Sequence, residues 1–226
     1  MDRSPFSAYD LFGYLASGFL VVLAVDYVAR AGWLLASPSP SVVVMAFWTG
    51  VAYVVGQILA TPSAWLLESV FVGRVLGKPE STLIGACRAR AAWLFPGYAK
   101  PLPLALRKRI SERAAELAQD PEALFLHAAA RARSDPGVAS RLGTFLNLYG
   151  FCRNVTFALL ICAGLLIGAR FVTPQPATRW LALAALVGAV GMLYRYLKFL
   201  RLHGVEVLVA FEAAPPMPTP APPDLQ

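Results

Sequence analysis

Arg153 and Asn154 stand side by side near the start of an apolar run that extends from Tyr149 to Ala169. An unpartnered arginine in the middle of a bilayer costs at least about 2.5–3.5 kcal/mol, so Arg153 demands a partner or a route back to water. Only sixteen residues separate it from Arg170, and Asp10 or Glu68 is the natural counter-ion. Laying the apolar runs side by side brings Asp10, Glu68, Arg153, Asn154, Arg195 and Lys198 to one level. Carboxylates and guanidiniums at one depth are what chemistry on a phosphorylated headgroup requires, with Asp10 or Glu68 as acid or base and Arg153 and Arg195 for the phosphate.

Each of these residues also has a structural role open to it. Asp10 follows Ser7 by three and completes a capping box. Arg195, Lys198 and Arg201 recur at helical spacing and form a basic anchor for anionic headgroups. Arg153 and Asn154 can lock helices together, which is favoured here over transport or catalysis. Tyr53, Gln57 and Thr61 make a polar stripe of the kind that hydrogen-bonds a neighbouring helix.

Other chemical signals are missing from the sequence: there is no phosphate-binding glycine loop, no HExxH and no nucleophile elbow. His127 and His203 are isolated, and Cys87, Cys152 and Cys162 show neither paired nor metal-ligand spacing. No metal and no cofactor is expected.

The elements that must position these residues follow from composition. With 58% hydrophobic and 15% charged residues, the chain departs from the soluble balance toward a lipid solvent. Four runs reach the roughly 20 apolar residues needed to cross about 30 Å of hydrocarbon: Leu11 to Ala29, Val42 to Pro62, Tyr149 to Ala169 and Trp180 to Leu200. The first lacks the basic flank and cleavage pattern of a secretory signal and is read as a span. Twelve Lys or Arg fall between Arg74 and Arg141, which places that segment and both termini in the cytoplasm. The net charge of +7 is explained by this topology and by anionic lipid, without nucleic acid. The basic stretch from Leu104 lacks the interleaved aromatics of a nucleic-acid surface.

The expected fold is an all-α integral membrane protein with four transmembrane helices and helical cytoplasmic extensions. Residues 1–76 form the first pair, with spans at about 8–30 and 41–63. The second helix runs on to Leu76, about 54 Å in all, so its end leaves the membrane near the kink that Pro62 introduces. Residues 77–135 form a basic cytoplasmic segment with helices from Leu104 to Ala118 and from Pro121 to Arg133, and the prolines of Phe95–Pro103 forbid regular helix in the stretch before them. Residues 136–212 form the second pair, with spans at about 149–170 and 178–200, and the Pro-rich stretch 213–226 is a disordered tail. Asp26 and Arg30 make an i, i+4 charged pair at the outer end of the first span. Ala52, Gly56 and Ala60, and separately Gly164 and Gly168, are small-residue ridges suited to close helix packing.

The segments Tyr9-Asp10-x-x-Gly13-Tyr14, Gly56-Gln57 with Ser63 and Glu68, Phe95-Pro96-Gly97-Tyr98 and Phe151-Cys152-Arg153-Asn154 resemble those of a loose group of four-span bacterial inner-membrane proteins. The layout is more weakly similar to membrane accessory proteins of antiviral, CRISPR-associated systems. Some of those carry an Arg-x4-6-His ribonuclease-like motif, and no arginine here precedes a histidine at that spacing. The resemblance implies a bacterial inner-membrane protein and no particular activity. The expected function is a non-enzymatic oligomeric scaffold or pore-like effector, whose partners are anionic lipid headgroups and either further copies or a partner protein. The alternatives are a lipid-headgroup enzyme and a small solute carrier.

Overall fold

The computed structural model describes residues 8–34, 41–85, 93–114, 121–172 and 175–214, the side chains of 8–10 excepted. Ser7, the Asp10 side chain, residues 35–40, Cys87, residues 115–118, residues 173–174 and the residues from 215 on lie outside that description. Among the described residues every regular element is helical: α1 Ala8–Ala29, α2 Val42–Ala64, a π-helical segment Trp65–Leu76, α3 Pro79–Ile84, α4 Pro96–Ala99, α5 Leu104–Ala114, α6 Pro121–Ala132, α7 Pro136–Val172 and α8 Pro176–Ala213. Four helical stretches, begun by α1, α2, α7 and α8, are long and apolar enough to cross a membrane.

Ser41 opens α2 by accepting from the Val44 N–H at 3.3 Å. Pro62 lies inside α2 and cannot donate to the ladder. Three residues later the chain widens into the π-helix, which ends where Gly77 takes φ 89° and its N–H reaches back five residues to the Val72 carbonyl. α7 runs unbroken for 37 residues and α8 for 38, because neither sequence holds an internal proline to stop it.

The prolines near residue 96 do not exclude helix as expected. Pro96 starts the one-turn helix α4, a position where the missing N–H would have had no partner. α3 begins the same way at Pro79.

The hairpins α1–α2 and α7–α8 meet mainly along α1 and α7. Gly18 and Gly56 bring α1 and α2 together so closely that a Cβ on either would overlap backbone of the other helix, at Ala52 and Tyr14 respectively. At the far end of the bundle Asp26 is 1% exposed. The sequence suggested a pairing with Arg30; in the fold the carboxylate accepts the backbone N–H groups of Trp33 at 2.8 Å and Leu34 at 3.0 Å. At the opposite end α3, α5 and α6 pack on the last turns of α8 around Leu83, Ile110, Leu124, Val207, Leu208 and Phe211. Ion pairs Arg109–Glu212 at 3.0 Å and Arg141–Glu206 at 2.7 Å edge this core, and Arg113 donates to the carbonyls of Glu212 and Ala214 where α8 ends.

Candidate functional site: the Arg153 polar cluster

Arg153 leaves α7 on the face toward the junction of α2 and the π-helix. Its Nη1 pairs with Oε1 of Glu68, one turn into the π-helical segment. Its Nε donates to Ser63 Oγ at 3.1 Å and to Asn154 Oδ1 at 3.2 Å, and its Nη2 also donates to Asn154 Oδ1 at 3.2 Å. Ser63 Oγ in turn donates to the same Asn154 oxygen at 2.8 Å. The Arg153 side chain is 15% exposed and that of Glu68 38%, so the cluster is a neutral, charge-assisted network with its acid facing outward.

Of the two counter-ions the sequence allows, Glu68 is therefore in place. Asp10 lies on the first turns of α1, but its side chain is outside the described residues. Arg195 and Lys198 do not join the network: both are exposed, and among the described residues no carboxylate lies within 4 Å of either. Arg195 stands over the Phe199 ring at 5.6 Å and beside the Cys152 thiol. Arg201 donates to the Lys100 carbonyl at 2.9 Å.

A polar cavity of about 220 Å³ opens beside the cluster between α1 and α7. Tyr14, Asn147, Tyr149, Arg153 and Asn154 line it, with Gly13 and Gly150 as the gaps in the helix surfaces that make room. Toward α8, Tyr149 and Tyr196 meet edge to face at 6.2 Å, and Tyr149 meets His203 at 6.3 Å. The Tyr196 hydroxyl is wholly buried and, among the described residues, has no hydrogen-bond partner. Tyr98, below it, donates to the Gly77 carbonyl at 2.8 Å. Burial first and Glu80 second push the Tyr98 phenol well above its ordinary range, so it stays a donor.

The polar stripe on α2 is largely internal: Gln57 Nε2 donates to Tyr53 Oη at 3.0 Å, and Thr61 is exposed. Of the ridge residues, Ala52 and Gly56 are buried against α1 and Ala60 is half-buried. Gly164 and Gly168 are exposed, with no described atom within 4 Å of where a Cβ would stand, so among the described residues no neighbour packs closely on them. Sequence reasoning missed Gly18 as the partner of the α2 ridge, although Ser17-Gly18 is a small pair at mid-run. It also missed the tyrosines, whose rings look like ordinary core. Among the described residues no three of His, Cys, Asp and Glu gather as metal ligands.

No protein-family model, curated protein or solved structure matches this chain.

Proposed function

We propose that this chain is a multi-pass protein of the bacterial inner membrane, with both termini and the basic segment 77–135 on the cytoplasmic side, and that its role is that of a non-enzymatic, oligomeric scaffold. The observation that carries the reading is the exposed Gly164/Gly168 ridge on α7. It flanks a shallow, largely apolar groove with Val28, Arg30, Leu165, Ala169 and Val172, on a helix whose Ala158 and Ala163 are buried against neighbours. In lipid, helices associate through such close-approach surfaces and not through hydrophobicity itself. The Arg153 network supports the non-enzymatic side, because its acid and base neutralise each other. The gathering of α3, α5 and α6 on one end of α8 agrees with a single cytoplasmic face.

Photobleaching step counts on labelled protein in dilute vesicles test this. Oligomers are expected from the native chain and monomers from Gly164→Leu with Gly168→Leu, at unchanged helix content. A native chain that counts as a monomer at every protein-to-lipid ratio would overturn it.

The cavity beside Arg153 favours a second reading, chemistry on a lipid headgroup. Hydrolysis of radiolabelled phospholipid that disappears in Glu68→Gln, with oligomers intact, would select it.

A further inference from the structure

A second cavity lies on the lateral surface, between the π-helical segment and α8, with α7 as its back wall. Leu67, Phe71 and Val75 form one side, Val190 and Leu193 the other, and Leu160 the floor, enclosing about 330 Å³. Thr156 is its one residue with a polar side-chain atom, and that hydroxyl is spent on the Cys152 carbonyl at 2.7 Å. The groove therefore offers water no partner, and a wet filling is excluded. Rings edge the end nearer Arg74: Phe71 meets Phe95 at 6.0 Å and Phe95 meets Tyr194 at 5.0 Å. Beside the groove the same stretch of the π-helix packs on α7 and α8 through Leu67, Val72, Leu76, Cys152, Tyr196 and Leu197.

We propose that this groove holds one acyl chain of an anionic phospholipid, whose phosphate meets Arg74. The inference rests on the membrane placement proposed above and is independent of the oligomer. Arg74 is exposed, stands in sequence between the groove residues Phe71 and Val75, and has no carboxylate within 4 Å among the described residues. Trp93, 80% exposed, and Leu94, whose carbonyl accepts from Tyr194 Oη at 2.8 Å, bring an aromatic edge to the same end, as expected where headgroups begin. The apolar walls alone give no preference over bulk lipid, since acyl chains are as apolar as leucine. Selection must come from the cation, and one arginine near a headgroup surface corresponds to about a fivefold preference for a negative charge.

The full chain is reconstituted in equimolar phosphatidylglycerol and phosphatidylethanolamine vesicles, extracted in mild detergent, and its retained phospholipid counted by native mass spectrometry. The native chain is expected to keep one phospholipid, with phosphatidylglycerol favoured about fivefold. Val190→Trp fills the groove from its exposed side and is expected to lose the lipid with helix content unchanged. Arg74→Glu, a surface change at an exposed side chain, is expected to keep a lipid but with phosphatidylglycerol below its share of the vesicle, because the charge that meets the phosphate is reversed. A native chain that keeps no lipid, or a headgroup preference that survives Arg74→Glu, would overturn the proposal. Failure to float with the vesicles, read before any lipid count, would overturn the membrane placement itself.

Discussion

Replacing Arg153 by methionine keeps most of the side-chain volume while removing the charge and every donor. The cost can be worked from what is left behind. Breaking a fully buried pair costs about 3–5 kcal/mol, and an exposed one contributes about 0–1 kcal/mol. Here the arginine is mostly buried, but the Glu68 side chain is 38% exposed and can turn to solvent. Asn154 Oδ1 loses Arg153 but keeps the Ser63 hydroxyl at 2.8 Å. An intermediate loss of about 2 kcal/mol is expected for Arg153→Met. Glu68→Gln keeps an oxygen for Arg153 but removes the compensating charge, at about 1–1.5 kcal/mol. If the two groups act as one unit, the double variant loses about 2–2.5 kcal/mol, a coupling of about 1 kcal/mol. Thermal and denaturant unfolding of the detergent-solubilised chain, with Arg195→Ala as an uncoupled control, measures each corner. Losses that add to within about 0.3 kcal/mol would refute a shared network.

Three further outcomes follow from the same structure. Gly56→Val is expected to destabilise by about 1–3 kcal/mol, because α1 must move away from the added carbons, whereas Gly50→Ala, with nothing within 4 Å of its Cβ, should stabilise by up to about 1 kcal/mol; equal effects in thermal melts would deny the close approach. Tyr98→Phe should cost about 1 kcal/mol by stranding the Gly77 carbonyl, while Tyr196→Phe, which removes a hydroxyl without a partner among the described residues, should be neutral or stabilising; the order of the two melting temperatures decides. Asp26→Ala leaves the Trp33 and Leu34 N–H groups without their acceptor and should cost about 2–3 kcal/mol, seen also as faster amide exchange at those two residues.

The four long helices were legible because their runs of about 20 apolar residues match the length needed to cross a bilayer. Their extensions were legible too: nothing between Pro136 and Val172 stops a helix once begun. The π-helix was not. Pro62 announces a lost hydrogen bond but says nothing of the pitch beyond it. The short helices α3 and α4 were hidden behind prolines that look like breakers and act as first-turn residues.

At the site, residue types told that Arg153 needs an acid, and the lengths of the runs limited the candidates to two. They could not phase Glu68, because an α-helical wheel drawn past Ser63 does not hold once each turn widens to i→i+5 bonding. The fold also shows what the cluster is for mechanically. The two hairpins pack extensively along α1 and α7, while α2 meets α7 over a much smaller stretch. The Ser63–Asn154 bond and the Glu68–Arg153 pair lie on that thin seam, next to one cavity and not far from the lateral groove. Direct polar bonds stand there in place of packing. In the membrane proposed for this chain, which gives helices no hydrophobic reason to stay together, a seam with few interdigitating side chains needs bonds that lipid cannot replace, and the Arg153–Glu68 pair with its shared Asn154 supplies them between α7 and the end of α2.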